Sequence, residues 1–263
     1  MIEELKYIIL GLIQGLAEFF PISSSGHVLL FANILDVAEN HPLLLSITVH
    51  FATTLSTIII YKKRISNLLI GICQYQRKAD MQFSIKLLIS MIPIVTIGFF
   101  FRDKIDLLFK DAQQLTCVML VFTGCILILS QMFKKSTNQI SYYHALILGL
   151  AQGLAIIPGI SRSGITIVIA LGCKIKRLEA AEFSFLMVLL PIIGITIIEI
   201  YTVYSLGISI DVAEIKSLVI AFSASFISGL FACKYMIRIV QRNNLKYFGY
   251  YCCFIGVLLI IIL

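Results

Sequence analysis

PISSSGH at residues 21–27, preceded by the apolar segment LGLIQGLAE at 10–18, occurs in this chain in two versions. The second version reads LGLAQGLA at 148–155 and PGISRSG at 158–164. Aligned without a gap at an offset of 138 residues, residues 10–28 match the later copy at 11 of 19 positions. This agreement predicts an internal duplication, and a functional site where the two copies meet.

The composition of the chain predicts an integral membrane protein. Hydrophobic residues make up 59% of the 263 residues and charged ones 13%, and the mean hydropathy is +0.99. Long apolar runs between short charged loops are typical of helical proteins that cross the membrane several times. We expect a single integral membrane domain over 1–263, with repeat 1 at about 1–133 and repeat 2 at about 139–263. The net charge of +7 does not indicate a nucleic-acid partner, because the basic residues lie in short loops beside apolar runs.

Six apolar runs are long enough to cross a bilayer, and two pairs of runs are shorter. A helix over 7–20 would be only about 21 Å long, and the Ser-rich turn at 21–26 separates it from a second short run at 27–35. Two half-length helices around such a turn are typical of a re-entrant hairpin. The pattern recurs at 145–157 and 164–173. The predicted fold is an all-α polytopic membrane protein with two re-entrant helical hairpins and six transmembrane helices, at 44–61, 83–101, 115–133, 183–203, 216–233 and 247–263.

The distribution of Lys and Arg predicts the orientation of the chain in the membrane. If the loop at 62–82 is cytoplasmic, fourteen of the 21 Lys and Arg residues lie in cytoplasmic loops and five lie outside. The first hairpin then opens to the outside and the second to the cytoplasm. One hairpin and three crossings per repeat invert the second copy relative to the first, so the two hairpin tips should meet near the middle of the bilayer. The predicted arrangement is an inverted-topology repeat.

The two predicted tips carry groups suited to an anion. A helix N-terminus presents free N–H groups and the positive end of the helix dipole, hydroxyls add donors, and glycine permits close backbone approach. Arg162 adds a planar fork that matches phosphate oxygens, and a cation inside a membrane is costly unless it has a function or a partner. The structural alternative is that the serines and glycines only cap and pack the half-helices. The candidate anion-binding residues of the tips are Ser23, Ser25, Gly26, Ser161, Ser163 and Gly164.

The first copy also carries the candidate reactive groups. Gln14 and Glu18 are four residues apart and therefore share one face of the first half-helix. Ser24 offers a nucleophilic hydroxyl, and His27, at the start of the next half-helix, is expected to reach back to it as a base. The second copy has Arg162 at the position of Ser24, and isoleucine at the positions of Glu18 and His27. We therefore predict one asymmetric site, with the reactive groups from the first copy and a phosphate clamp from the second.

Several segments resemble those of a known family. QGLAE at 14–18, PISSSGH at 21–27 and PGISRSGIT at 158–166 look like the signature segments of the bacterial undecaprenyl-diphosphatases, the UppP/BacA family linked to bacitracin resistance. VHFATTL at 49–55 and LEAAEFSFL at 178–186 are similar to the same family. The resemblance covers nearly the whole chain.

The resemblance implies an activity, a location and site residues. The activity is hydrolysis of undecaprenyl diphosphate to undecaprenyl phosphate and inorganic phosphate, which recycles the lipid carrier of cell-wall synthesis. The location is a bacterial cell membrane, with the active site facing the outer side. The implied catalytic residues are Glu18, Ser24, His27 and Arg162, and the binding residues are Gln14 and Thr166 together with the serines and glycines of the tips.

Alternatives stay open at the level of the sequence. A transporter or flippase of a lipid phosphate or diphosphate would use the same inverted-repeat site, although pure binding needs no nucleophile. Ser24 attacks phosphorus in one mechanism, and His27 activates water in the other. No organic cofactor is expected. No ligand cluster of diagnostic spacing marks a metal site, so Mg²⁺ or Ca²⁺, with Glu18 as the candidate ligand, is left open, as is a homodimer.

Overall fold

The computed structural model of the chain is built from helices. It describes residues 2–37, 42–73, 78–109, 112–133, 137–205, 211–242 and 244–262. Helices account for 86% of the structure, and the described residues contain no β-strand apart from one isolated bridge between Asn138 and Ile175. The α-helices are α1 (Ile2–Phe19), α2 (Ser24–Ile34), α3 (Pro42–Ile60), α4 (Lys62–Cys73), α5 (Lys78–Phe100), α6 (Arg102–Phe109), α7 (Gln113–Leu129), α8 (Tyr142–Leu154), α9 (Arg162–Gly172), α10 (Arg177–Leu186), α11 (Leu189–Ser205), α12 (Val212–Gln241) and α13 (Lys246–Ile262).

Helices occupy all six segments predicted to cross the membrane. Four are long and apolar enough to do so: Lys78–Phe100, Gln113–Met132, Arg177–Ser205 and Val212–Gln241. α3 and α4 together qualify as a fifth, bent by 80°, and α13 is a shorter apolar helix of 17 residues. The chain is therefore a multi-pass helical membrane protein, whereas the count of six crossings stays a prediction. Four of the basic residues used in the charge count lie outside the described ranges: Arg77, Lys110, Lys134 and Lys135.

Two helical segments differ from the sequence-based expectation. α1 begins at Ile2 and not at residue 7, because the glutamates of its first turn suit the positive end of the helix dipole. The stretch 62–82 was expected to be a loop, but it contains α4 and the start of α5. α4 packs against α5 with Leu68 and Gly71 buried one turn apart, whereas Leu69, Ile70 and Ile72 are exposed.

Pro191 explains why the fourth predicted crossing is broken. α10 ends at Leu186 and α11 begins at Leu189, with two turn residues between them. A proline ring clashes with the carbonyl group four residues earlier, which here belongs to Met187. Val188, one of the two turn residues at this break, lines the cleft of the candidate site that is described below.

The paired glycines of the two half-helices permit close helix contacts, as their spacing predicts. A Cβ on Gly15 would overlap the carbonyl oxygen of Ser225 in α12, and one on Gly149 would overlap the carbonyl oxygen of Ser90 in α5. The first arm of each hairpin therefore packs against a helix of the other repeat, α1 against α12 and α8 against α5. α7 and α13, the last helices of the two repeats, pack against each other.

Gly15→Ala is expected to destabilise the protein, because the new methyl group would overlap Ser228 Oγ and push α1 away from α12. Overpacking of this kind costs about 1–3 kcal/mol. Gly194→Ala is the matched control, since a Cβ at that position would have no atom within 4 Å. The measurement is the midpoint of thermal unfolding in detergent, which should fall for Gly15→Ala alone. Equal midpoints for the two variants would mean that α1 and α12 do not depend on this close contact.

Candidate active site

The turns of the two hairpins lie against each other, as the repeat predicts. Ser163 Oγ, at the start of α9, donates to the carbonyl oxygen of Phe19 at the end of α1, 3.5 Å away. A Cβ on Gly26 would lie 3.3 Å from the Cα atom of Gly159. The two turns therefore contact each other beside the C-terminal end of α1.

Two serines cap the helices that leave the turns. Ser23 Oγ accepts a hydrogen bond from the amide of Gly26 at 3.4 Å, and Ser161 Oγ accepts one from the amide of Gly164 at 3.1 Å. Both serines therefore cap helices, and their part in anion binding stays a prediction. Ser23 has a φ of 70°, in the left-handed region that residues other than glycine rarely adopt. The first turn thus holds a strained backbone next to Ser24, and such strain is concentrated at functional sites.

Glu18 is the buried centre of the site, with a side chain only 5% exposed. Its Oε2 accepts hydrogen bonds from Ser24 Oγ at 2.8 Å and from Gln14 Nε2 at 2.9 Å. Its Oε1 forms an ion pair with Arg162 Nη2 of the other hairpin. His50 Nε2, on α3, lies 3.6 Å from Oε2. The structure therefore brings together four residues that the sequence assigned to one site, and adds His50 to them.

Arg162 is the first residue of α9, and its side chain is 21% exposed. The contact with Glu18 uses one terminal nitrogen, whereas a guanidinium group carries five N–H donors. One turn further on, Thr166 Oγ1 donates to the carbonyl oxygen of Arg162 at 2.7 Å and lies 2.6 Å from Ser184 Oγ. Thr166 therefore joins α9 to α10 behind Arg162, and its part in substrate binding stays a prediction.

His27 has neighbours other than the expected one. Its Nδ1 lies 2.9 Å from the carbonyl oxygen of Ser23, and its Nε2 lies 3.0 Å from the hydroxyl of Tyr251 on α13. The two rings stack with their centroids 5.6 Å apart. Ser24 Oγ donates to Glu18 and not to His27. The expected Ser24–His27 pair is therefore replaced, because the helical turn after Ser23 directs His27 to its own backbone and towards α13.

A narrow cleft lies beside the Glu18–Arg162 pair. α3 contributes three threonines to the wall of this cleft, although the sequence pattern had not predicted a role for α3 in the site. The available signal was the recurrence of polar residues at 50, 53, 54 and 57, which is helical spacing within an apolar segment. The lining residues are Glu18, Phe19, Thr53, Thr54, Thr57, Arg162, Ser163, Ser184, Phe185, Val188 and Ile192.

The hydrogen-bond donors around Glu18 decide whether this residue could bind the divalent cation that the sequence neither predicted nor excluded. Within the described part of the chain, no group of three or more His, Cys, Asp or Glu residues could hold a metal ion. The oxygens of Glu18 accept from Arg162, Ser24 and Gln14, so a cation bound there would displace a donor and be repelled by the guanidinium. These residues do not fit a resident metal site. A requirement for Mg²⁺ or Ca²⁺ stays a prediction, and no reaction step below depends on a metal.

The chain is similar to known proteins over nearly its whole length. Residues 7–258 match the family model described as bacitracin resistance protein BacA. The chain is 38% identical over 262 residues to an undecaprenyl-diphosphatase of Bacteroides fragilis, covering 99% of this chain and 98% of that protein. It is 38% identical over 255 residues to the undecaprenyl-diphosphatase of Parabacteroides distasonis, covering 96% of each. For the undecaprenyl-diphosphatase of Halothermothrix orenii the identity is 36% over 263 residues, covering 99% and 98%. The chain belongs to the BacA family of bacitracin resistance proteins.

Proposed function

We propose that this protein hydrolyses undecaprenyl diphosphate to undecaprenyl phosphate and inorganic phosphate, and so recycles the lipid carrier of cell-wall synthesis. The observation that carries the proposal is the 2.8 Å hydrogen bond from Ser24 Oγ to Glu18 Oε2, next to Arg162. A hydroxyl held by a carboxylate beside a guanidinium supplies a nucleophile, a proton acceptor and a phosphate ligand. The BacA family and the names of the relatives support the same reaction. A transporter would need the anion site but not the activated hydroxyl, and no comparison favours it.

The diphosphate group would bind between the two hairpin tips. α2 and α9 begin there, and each N-terminus carries unpaired N–H groups and a partial positive charge. Arg162 would contact the terminal phosphoryl group with the nitrogens of its fork that do not face Glu18. Together these donors would stabilise the charge that develops on the equatorial oxygens in the transition state. Ser25 and Ser163 are the further binding residues proposed at these N-termini, since the amide of Gly164 already donates to Ser161.

Ser24 would attack the terminal phosphorus while Glu18 takes the hydroxyl proton. The Ser24 Oγ–P bond forms, the bond from phosphorus to the bridging oxygen breaks, and undecaprenyl phosphate leaves with the electron pair. Water then attacks the phosphoserine and releases inorganic phosphate. His27 would hold the turn through Ser23 in this scheme, because its ring nitrogens face Ser23 and Tyr251. Direct attack by water held by Glu18 is the alternative route to the same products.

The proposed arrangement has six crossings and two re-entrant hairpins, related as an inverted repeat. This arrangement is supported by the packing between repeats, because the first helix of each repeat contacts a helix of the other: α1 packs on α12, and its counterpart α8 packs on α5. α7 and α13 correspond to each other in the two repeats and pack together, as helices near a twofold axis would. The excess of basic residues predicts which loops are cytoplasmic, and the resemblance to the undecaprenyl-diphosphatases implies a site that faces the outer side of a bacterial cell membrane. A homodimer stays a prediction.

The purified protein in detergent is expected to release inorganic phosphate from undecaprenyl diphosphate, whereas a transporter would bind the lipid and leave no product. Glu18→Gln keeps the shape of the side chain but cannot take up a proton, so its rate should fall about 100-fold or more.

A chelator is added in a parallel assay. Loss of activity that Mg²⁺ or Ca²⁺ restores would establish a cation requirement, and full activity would exclude one. Lipid binding without phosphate release, with either cation present, would contradict the hydrolase and favour the transporter.

A further inference from the structure

A second histidine, His50 of α3, faces the proposed catalytic carboxylate. Its Nδ1 lies 2.8 Å from the carbonyl oxygen of Ser46, one helical turn earlier, and its Nε2 lies 3.6 Å from Glu18 Oε2. The side chain of His50 is 26% exposed, whereas that of Glu18 is 5% exposed. The same oxygen of Glu18 accepts the Ser24 hydroxyl. Ser24, Glu18 and His50 therefore lie in a row, with a hydrogen bond between the first two and a contact slightly longer than a hydrogen bond between Glu18 and His50.

The contact with Ser46 determines which ring nitrogen of His50 carries hydrogen. A carbonyl oxygen only accepts, so Nδ1 must carry the hydrogen and donate it. In the neutral ring, Nε2 is then an acceptor that faces the carboxylate of Glu18. Two acceptors that face each other repel, whereas a proton between them makes the contact attractive. The geometry therefore suits one proton that either Glu18 or His50 holds.

The helices packed against α3 present few other groups that could exchange this proton. α1 presents Glu18, and α9 acts through the ion pair between Arg162 and Glu18. The middle of α12, residues 217–232, contains no acidic or basic residue. The other charged residues on these helices are Glu199 of α11, Lys62, Lys63 and Arg64 of α4, and those near the ends of α1 and α12, namely Glu3, Glu4, Lys6, Glu214, Lys216, Lys234 and Arg238.

We propose that His50 is a positioning residue that acts through Glu18, accepting from it the proton that Ser24 gives up during attack on phosphorus. The inference rests on the proposed hydrolysis. As the Ser24 Oγ–P bond forms and the bridging P–O bond breaks, the proton passes from Ser24 to Glu18 Oε2 and then to His50 Nε2. Glu18 returns to its carboxylate form and keeps its ion pair with Arg162. When water attacks the phosphoserine, His50 returns the proton through Glu18 to Ser24 Oγ, and both hydrogens of the water leave with the phosphate.

The test is the pH dependence of kcat for the wild type and His50→Gln, measured as phosphate released from undecaprenyl diphosphate in detergent. Glutamine is polar and of similar length, but it does not take up a proton. In the pH range in which His50 is neutral in the wild type, His50→Gln is expected to have a kcat about 100-fold lower, with KM changed less than about threefold. At pH values low enough to protonate His50, the wild-type side chain accepts nothing, so the rates of the two enzymes should converge as the pH falls.

His144→Gln is the matched control. His144 lies at the N-terminus of α8, where it forms a capping box with Ser141, and glutamine is common at that position of the box. This variant should follow the wild type at every pH. A thermal unfolding midpoint is measured for each variant, and His50→Asn replaces His50→Gln if the latter does not fold.

Three outcomes would overturn the proposal. A ratio of wild-type to variant kcat that stays constant with pH would mean a structural role. Unchanged kcat with a raised KM would mean a contact with substrate. A wild-type kcat that does not fall as the pH is lowered through the range in which His50 becomes protonated would remove the relay whatever the variants do. An inactive wild type would contradict the hydrolysis itself, whereas an active wild type with an unaffected His50 variant contradicts the relay alone.

Discussion

Arg162→Lys is expected to lower kcat/KM for undecaprenyl diphosphate about 100-fold, a loss of roughly 2.8 kcal/mol in transition-state stabilisation. Arg162 must serve two partners at once, because it pairs with Glu18 and is proposed to hold the terminal phosphoryl group. A planar guanidinium with five donors reaches both, whereas the lysine ammonium is a single point charge on a flexible chain. Lysine keeps the positive charge, so the variant separates the geometric requirement from the electrostatic one.

The measurement for Arg162→Lys is steady-state phosphate release, with Arg242→Lys as the matched control. Arg242 follows the last turn of α12 and is exposed, so the same exchange there should leave the rate within about twofold of the wild type. Near-wild-type turnover in Arg162→Lys would leave only a general need for positive charge at the cleft. A thermal midpoint equal to that of the wild type is required before the kinetic loss is assigned to the site.

The ion pair between Glu18 and Arg162 supports the prediction that the duplicated sequence forms one site and not two. Glu18 belongs to the first copy and Arg162 to the second. The second copy has Ile156 at the position that corresponds to Glu18, and the first copy has Ser24 at the position that corresponds to Arg162. A second, symmetry-related site would need a carboxylate at 156. Burying a charge near the middle of a membrane is costly unless it is paired. The pairing of the two copies therefore both stabilises the buried Glu18 and assembles the site.

The helices and the hairpins are readable from the sequence because they depend on local information. Apolar runs, turn residues and glycine spacing act over one or two helical turns, and the repeat makes each signal visible twice. α4 was not predicted from the sequence, because its first turn, Lys62 to Arg64, is basic and its apolar part is short. Buried Leu68 shows that contact with the rest of the protein, and not hydropathy alone, favours the helix.

The partners of the candidate site residues are less predictable, because they come from distant parts of the chain. Ser24 and His27 are close in sequence, yet His27 pairs with Tyr251, which is 224 residues away. Sequence spacing places two residues on the same face of a helix, but it does not tell which other helix packs against that face. For the same reason His50, on α3, could not be assigned to Glu18 before the packing of α1 and α3 was known.

Ser24→Ala is expected to lower the rate of phosphate release at least about 1,000-fold, because it removes the proposed nucleophile and leaves only substrate binding and charge stabilisation. Ser24 Oγ is partly exposed at the first turn of α2 and already donates to the proposed proton acceptor. Ser223→Ala is the control, since Ser223 is exposed on α12 and hydrogen-bonds only within that helix, to the carbonyl of Val219, in the contacts described.

If Ser24 is the nucleophile, the reaction passes through a phosphorylated intermediate of the protein. Detection of this intermediate distinguishes a nucleophilic Ser24 from a Ser24 that only binds the substrate. Substrate labelled in its terminal phosphate and quenched in acid during turnover should leave label on the protein, and peptide mapping should place it on Ser24. Ser24→Cys should keep a residual activity above that of Ser24→Ala, because a thiolate also attacks phosphorus. If Ser24→Ala retains a tenth or more of the activity and the wild type carries no label, water held by Glu18 is the nucleophile. In that case the 2.8 Å hydrogen bond serves to position the serine as a substrate ligand.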